Sequence, residues 1–168
     1  MIYNKNKLAK KNPQPKLSPG LETITKPFIQ LFSGFQDLAL LGLRLILAHG
    51  FFEPAIHKIE NFSKTVGFFT HQLNLPYPLA NALLVTGFEA IGVIALFLGF
   101  GVRFISIPLM VIMVVAINSV HWAHGFSCKS NGYEVLLYYF LMLFILMAFG
   151  AGKYSLDESL FKKWLSTN

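Results

Sequence analysis

The apolar positions of this chain fall in long, nearly charge-free runs separated by short polar breaks, and the runs have the length of membrane spans. Four stand out. The first covers residues 37–53 and is the most interrupted, with Arg44 inside it and Pro54 expected to stop it. The second covers 78–100, the third 104–123, and the fourth 133–150, where Gly150-Ala151-Gly152 closes it. Gly99-Phe100-Gly101-Val102-Arg103 joins the second and third so tightly that they form an antiparallel hairpin. Between the first and second runs, Ile56, Ile59, Phe62, Val66, Phe69 and Leu73 recur every three or four residues, with Lys58, Glu60, Asn61 and Lys64 among them. That spacing predicts an amphipathic helix lying in the membrane interface. The expected fold is all-α: a four-helix transmembrane bundle with an interfacial helix between helices 1 and 2.

Composition sharpens the class. Of 168 residues, 54% are apolar and 13% charged, where a soluble domain carries about 25% charged residues. The mean hydropathy is +0.54. A single cysteine, Cys128, excludes an internal disulfide, and 15% aromatic residues exclude a disordered chain. Residues 1–34 read as a basic cytoplasmic tail, with Lys5, Lys7, Lys10, Lys11, Lys16 and Lys26 against Glu22 alone. Pro13, Pro15, Pro19 and Pro27 argue against a long helix there, and no small-residue cleavage site follows, so a signal peptide is not expected. Residues 35–152 form the transmembrane domain and 153–168 a short cytoplasmic tail.

Charge then gives orientation. With the N-terminus inside, ten basic residues flank the inner face, and Lys58, Lys64 and Lys129 lie outside. The positive-inside rule therefore places both termini in the cytoplasm of a multi-pass inner-membrane protein. The net charge of +6 is a topology signal, and the bilayer is the expected partner. Nucleic acid is not, since no recognisable binding motif accompanies the lysines.

The polar residues inside the runs carry the candidate chemistry. Arg44 and Glu89 fall at the midpoints of the first and second runs, on helices expected to be adjacent and antiparallel. An unpaired charge at that depth costs ~3 kcal/mol or more, so the two are expected to form a buried ion pair that fixes helix register or holds a polar ligand. His49 and Asn118 follow at roughly 6–8 Å towards the outside. Glu53, His57, His121, His124, Cys128 and Glu134 come next. The bundle should be dry on its inner side and open an outward polar vestibule. His49, Glu53 and His57 share a helical face at i, i+4 and i+8 if the helix passes Pro54. Imidazole, carboxylate and thiolate are ligands of zinc, copper or iron, which makes His121, His124 and Cys128 metal candidates. No compact metal motif is present, and a bound metal is not the expected outcome. The Tyr133, Tyr138, Tyr139, Phe140 and Phe144 set fits packing and interfacial anchoring more simply than a quinone site. No flavin, haem or dinucleotide motif occurs, so no built-in cofactor is expected.

Several of these residues belong to a pattern. Leu43-Arg44-Leu45 with His49-Gly50 and Lys58, Thr86-Gly87-Phe88-Glu89-Ala90-Ile91-Gly92 leading to Leu98-Gly99 and Arg103, and Gly150-Ala151-Gly152-Lys153-Tyr154-Ser155-Leu156-Asp157 together resemble the DoxX family of small four-helix membrane proteins. The stretch from Arg103 through His121-Trp122 is similar to a subgroup whose genes accompany the synthesis of small metal-related peptides. The resemblance implies a membrane subunit of a quinone-linked or thiol-linked redox system, with Arg44 and Glu89 as the buried polar pair, His49-Gly50 and Lys58 at the outer end of helix one, and Asp157 in the C-terminal turn. The leading reading is an accessory, non-catalytic or oxidoreductase subunit that binds a quinone or lipid-like molecule near that pair, with the redox centre on a partner protein. The alternatives are a small transporter or exporter component, for which a homo-oligomer would build the pathway, and metal handling at the outer histidines.

Overall fold

The computed structural model describes residues 19–167. The tail lysines from Lys5 to Lys16 lie outside the described residues. Residues 1–35 and 36–168 form two units. In the first, Pro19–Phe35 is helical. Pro19 opens that helix at a position whose backbone N–H has no partner anyway, so one of the prolines expected to oppose a helix instead starts it.

The second unit is all-helical among the described residues. Helix α1 (Pro19–Glu60) supplies its first element from Gln36 onward, followed by α2 (Phe62–His71), α3 (Pro78–Leu98), α4 (Val102–Ala116), α5 (Glu134–Phe149) and α6 (Leu156–Thr167). Among the described residues, three stretches are long and apolar enough to cross a membrane: Gly34–Glu60, Pro78–Leu98 and Val102–His124. The fourth expected run is a shorter apolar helix of 16 residues, α5, about 24 Å long.

The first run differs most from expectation. Pro54 does not stop α1, which continues to Glu60. A proline inside a membrane helix is tolerated when neighbouring helices hold the segment in place, and here the turn before it packs tightly. Gly50 meets the ring of Tyr139 from α5 so closely that a Cβ would collide with it. The expected amphipathic helix of 56–73 is therefore divided: its first turn belongs to α1, the chain breaks at Asn61, and only Phe62–His71 forms α2, with Phe69 buried.

The other ends follow from local chemistry. Pro78 starts α3, and Gly99 in the left-handed region (φ +71°) ends it, its N–H bonded to Ala95 O at 2.8 Å. Gly101 (φ +59°) then turns the chain into α4. Beyond Ala116 the helix widens into a π-turn over Ile117–His121 and a 3₁₀ turn to His124. Ser155 starts α6 by accepting the Glu158 N–H on its hydroxyl.

One core joins α1, α3, α4 and α5, built on Leu47, Phe51, Leu96, Val102, Leu109, Leu143 and Leu146. Lipid tails are as apolar as these side chains, so close packing rather than burial from water holds the helices together. Gly92 shows how tight it is: a Cβ there would come 2.9 Å from Leu109 Cδ1.

Candidate functional site

The buried stripe of α1 runs through Leu40, Arg44, Leu47, Phe51 and Ala55, a helical period that brings Lys58 to the same side. Lys58 is where the stripe meets Glu89 of α3, which is itself buried. The Lys58 Nζ lies 2.5 Å from Glu89 Oε2. The carboxylate side chain is only 4% exposed and the lysine side chain 25%, so the pair is closed on the glutamate side and open on the lysine side. The expected ion pair of Arg44 with Glu89 is not formed. Because α1 continues past Pro54, Glu89 is served by Lys58, and Arg44 is opposite Gly99, ten residues further along α3.

An open groove of about 350 Å³ lies beside the pair, lined by Ile59, Phe62, Leu83, Thr86, Gly87 and Ala90. Ile59 follows Lys58, and Ala90 follows Glu89, so the groove wall and the ion pair come from the same two segments. Thr86 is buried, and its hydroxyl has no hydrogen-bond partner. The groove is an apolar trough whose lining includes Thr86 but neither Lys58 nor Glu89, each of which is the chain neighbour of a lining residue.

Arg44 belongs to a second, structural site. It is 1% exposed, and its Nη2 donates to Tyr154 O at 2.7 Å. Its Nε and Nη1 have no partner. Asp157 attracts it electrostatically and holds the hairpin turn: Asp157 Oδ1 accepts the Gly101 N–H at 2.9 Å, and the Asp157 N–H donates to Gly99 O at 3.1 Å. Lys153 donates its backbone N–H to Asp37 Oδ1 at 3.1 Å and places its ammonium 3.0 Å from Oδ2, and that contact raises the lysine above its ordinary pKa. The segment 150–157 thus straps the ends of α1, α3 and α4 together.

The remaining predicted residues are not gathered into one vestibule. His49, Glu53 and His57 are exposed, on the side of α1 opposite the core stripe. Asn118 is exposed and donates to Val114 O of its own helix at 2.8 Å. His121 Nδ1 is 2.7 Å from Asn131 O, and His124 Nδ1 3.0 Å from Val120 O. Glu134 ties the loop to α5, accepting the Cys128 N–H at 3.0 Å and the Tyr138 hydroxyl at 3.0 Å. Trp122 stacks on Tyr133 at 5.4 Å between ring centroids. Among the described residues no three histidine, cysteine, aspartate or glutamate side chains are grouped to hold a metal. His121, His124 and Cys128 are loop-forming residues in this geometry.

Sequence reasoning passed over Lys58 as a partner for Glu89. The signal was its place fourteen residues after Arg44, almost four full helical turns and hence the same face, hidden by the assumption that Pro54 ended the helix.

A family model described as DoxX matches residues 39–122, a stretch that contains Arg44, Lys58, Glu89 and Gly99. An uncharacterized protein of Haemophilus influenzae is 36% identical over 129 residues, covering 75% of this chain and 85% of that protein. No solved structure matches.

Proposed function

The chain belongs to the DoxX family, and from that premise we propose that this multi-pass membrane protein is an accessory subunit that binds a quinone or similar lipid-like molecule at the Lys58–Glu89 pair. The reading is carried by the position of that pair next in the chain to two residues, Ile59 and Ala90, that line the apolar groove with Phe62, Leu83, Thr86 and Gly87. A quinone presents carbonyl acceptors on a long apolar tail. The Lys58 ammonium has three N–H donors, one engaged by Glu89, so further donors remain for a carbonyl. Glu89 fixes that ammonium and is the carboxylate nearest to take up a proton. The aliphatic and aromatic walls suit the tail. The sequence has no flavin, haem or dinucleotide motif, so the reading assigns the redox centre to a partner protein.

The same reading sets α5 as a fourth span, α2 in the interface, and both termini on the cytoplasmic side of the inner membrane. Pairing of Lys58 with Glu89 supports the orientation: it removes one lysine from the outer count and leaves Lys64 and Lys129 there. Native mass spectrometry of the full chain, released gently from its membrane, tests the proposal. A quinone-mass adduct retained by the wild type and lost from Lys58→Leu/Glu89→Leu is expected. Absence of any such adduct from the wild type contradicts it.

A further inference from the structure

The outward faces of the helices differ in one respect. On α3 the exposed large side chains are Leu83, Leu84, Ile91, Ile94 and Phe97, and on α4 they are Phe104, Ile107, Val111, Val114 and Val115. All are suited to lipid. On α1 the exposed face instead carries His49, Glu53 and His57, one turn apart, flanked by Leu45, Ile46, Phe52 and Ile56. None of the three polar side chains has a hydrogen bond or ion pair within the described residues, and Asn118, the exposed amide of the third span, is already bonded within its own helix. Glu53 is six residues from the middle of Gly34–Glu60, about 9 Å along the axis and inside a hydrocarbon layer of ~30 Å. Ionisable groups at that depth face protein rather than lipid.

We propose that this face of α1 is covered by the same face of a second copy, giving a two-fold dimer about an axis along the membrane normal. The stripe is self-complementary. With two α1 helices parallel, the two-fold sets Glu53 level with the partner subunit's Glu53, and each carboxylate lies one turn from the partner subunit's His49 on one side and the partner subunit's His57 on the other, so the four imidazoles bracket the two carboxylates. Each imidazole N–H then donates to a carboxylate, in either protonation state of the ring. An isologous contact repeats every such bond twice. Close approach is permitted two to three turns before His49, where Gly42 has open space around its missing Cβ and Ala39 is exposed. The groove beside Lys58 and Glu89 is on the opposite, core side of α1, so the dimer leaves it accessible and stands apart from the ligand reading.

The full chain in liposomes tests this directly. In a Cys128→Ser background, Ile46→Cys at the centre of the α1 face should cross-link to a dimer, and Val111→Cys, equally exposed at similar depth on α4, should not. Single-molecule photobleaching should show two steps for the wild type. His49→Leu/Glu53→Leu, both at exposed positions, should weaken association by about tenfold or more, from the loss of two symmetric interhelical bonds. A wild type that stays monomeric across protein-to-lipid ratios, cross-linking at Val111 as efficient as at Ile46, or a double variant that dimerises like the wild type each overturns the proposal.

Discussion

Lys58 at the end of α1 and Glu89 in the middle of α3 are joined at 2.5 Å across 31 positions of sequence, and their contact sets the register of the first two spans. Arg44 opposite Gly99 repeats that register one end further in. The two contacts are displaced by fourteen residues along α1 and ten along α3, ~21 and ~15 Å, from the alignment that would pair Arg44 with Glu89. Truncating one member of the Lys58–Glu89 pair leaves the other charge buried. Lys58→Leu and Glu89→Leu should each lower the unfolding free energy by roughly 3 kcal/mol, at the low end for buried pairs because the lysine is partly exposed. The double variant should lose less than either single change. Reversible unfolding in mixed detergent gives all four corners of that cycle.

The α3–α4 turn should tolerate no side chain at Gly99. Its φ of +71° disfavours a Cβ, and one placed there would collide with the Arg44 guanidinium and lie 2.7 Å from Ser155 Cβ. Gly99→Ala should cost about 2 kcal/mol or more. Gly67→Ala in α2, which meets nothing within 4 Å, should gain roughly 0.5–1 kcal/mol from helix propensity. Thermal unfolding of the two variants reads the contrast in sign.

Asp157 acts on the hairpin through an acceptor and on Arg44 through its charge. Asp157→Asn keeps an oxygen for the Gly101 N–H and should lose less than Asp157→Ala, which leaves that N–H without its 2.9 Å bond at a cost of about 1–2 kcal/mol. Hydrogen exchange at Gly101 should quicken in the alanine variant and stay slow in the asparagine one.

The contact of Lys153 with Asp37 raises the lysine pKa, so the pair contributes fully below the ordinary lysine value of about 10.4 and fades as pH rises through the higher folded value. The Tm difference between wild type and Lys153→Ala should be constant from pH 6 to about pH 9 and shrink above about pH 10.5. A difference that changes near neutral pH would place the dependence elsewhere.

Cys128 is exposed in the loop between α4 and α5. With both termini cytoplasmic, a membrane-impermeant maleimide should label Cys128 on intact spheroplasts. In a Cys128→Ser background it should label Lys153→Cys only after permeabilisation. The opposite labelling pattern would invert the orientation.

Hydropathy made most of the architecture legible. The second run corresponds to α3 and the third to the Val102–His124 span to within a few residues, and Gly99-Phe100-Gly101 marks their turn, because uninterrupted apolar length and left-handed glycines are local signals. The passage of α1 through Pro54 was not local. It depends on Tyr139 of α5 packing against Gly50, and a partner from a distant segment leaves no mark in the local pattern. That one boundary governs the site: with α1 ended early, equal midpoints align Arg44 with Glu89, and the polar face of His49, Glu53 and His57 reads as part of an outward polar vestibule. Arg44 and Glu89 each interrupt an apolar run and are buried; their partners, the Tyr154 carbonyl and Lys58, are set by tertiary register.

The ligand reading of the Lys58–Glu89 pair is tested most directly by photolabelling the reconstituted chain with a photoreactive quinone, with and without excess unlabelled quinone, and mapping the labelled peptides. The account predicts adducts on residues 58–62 of the α1–α2 junction and 83–90 of α3, where the groove is lined, suppressed by the competitor and absent from Lys58→Leu/Glu89→Leu. Labelling spread over the lipid-facing residues of α4 and α5, indifferent to competitor and to the double change, would contradict it.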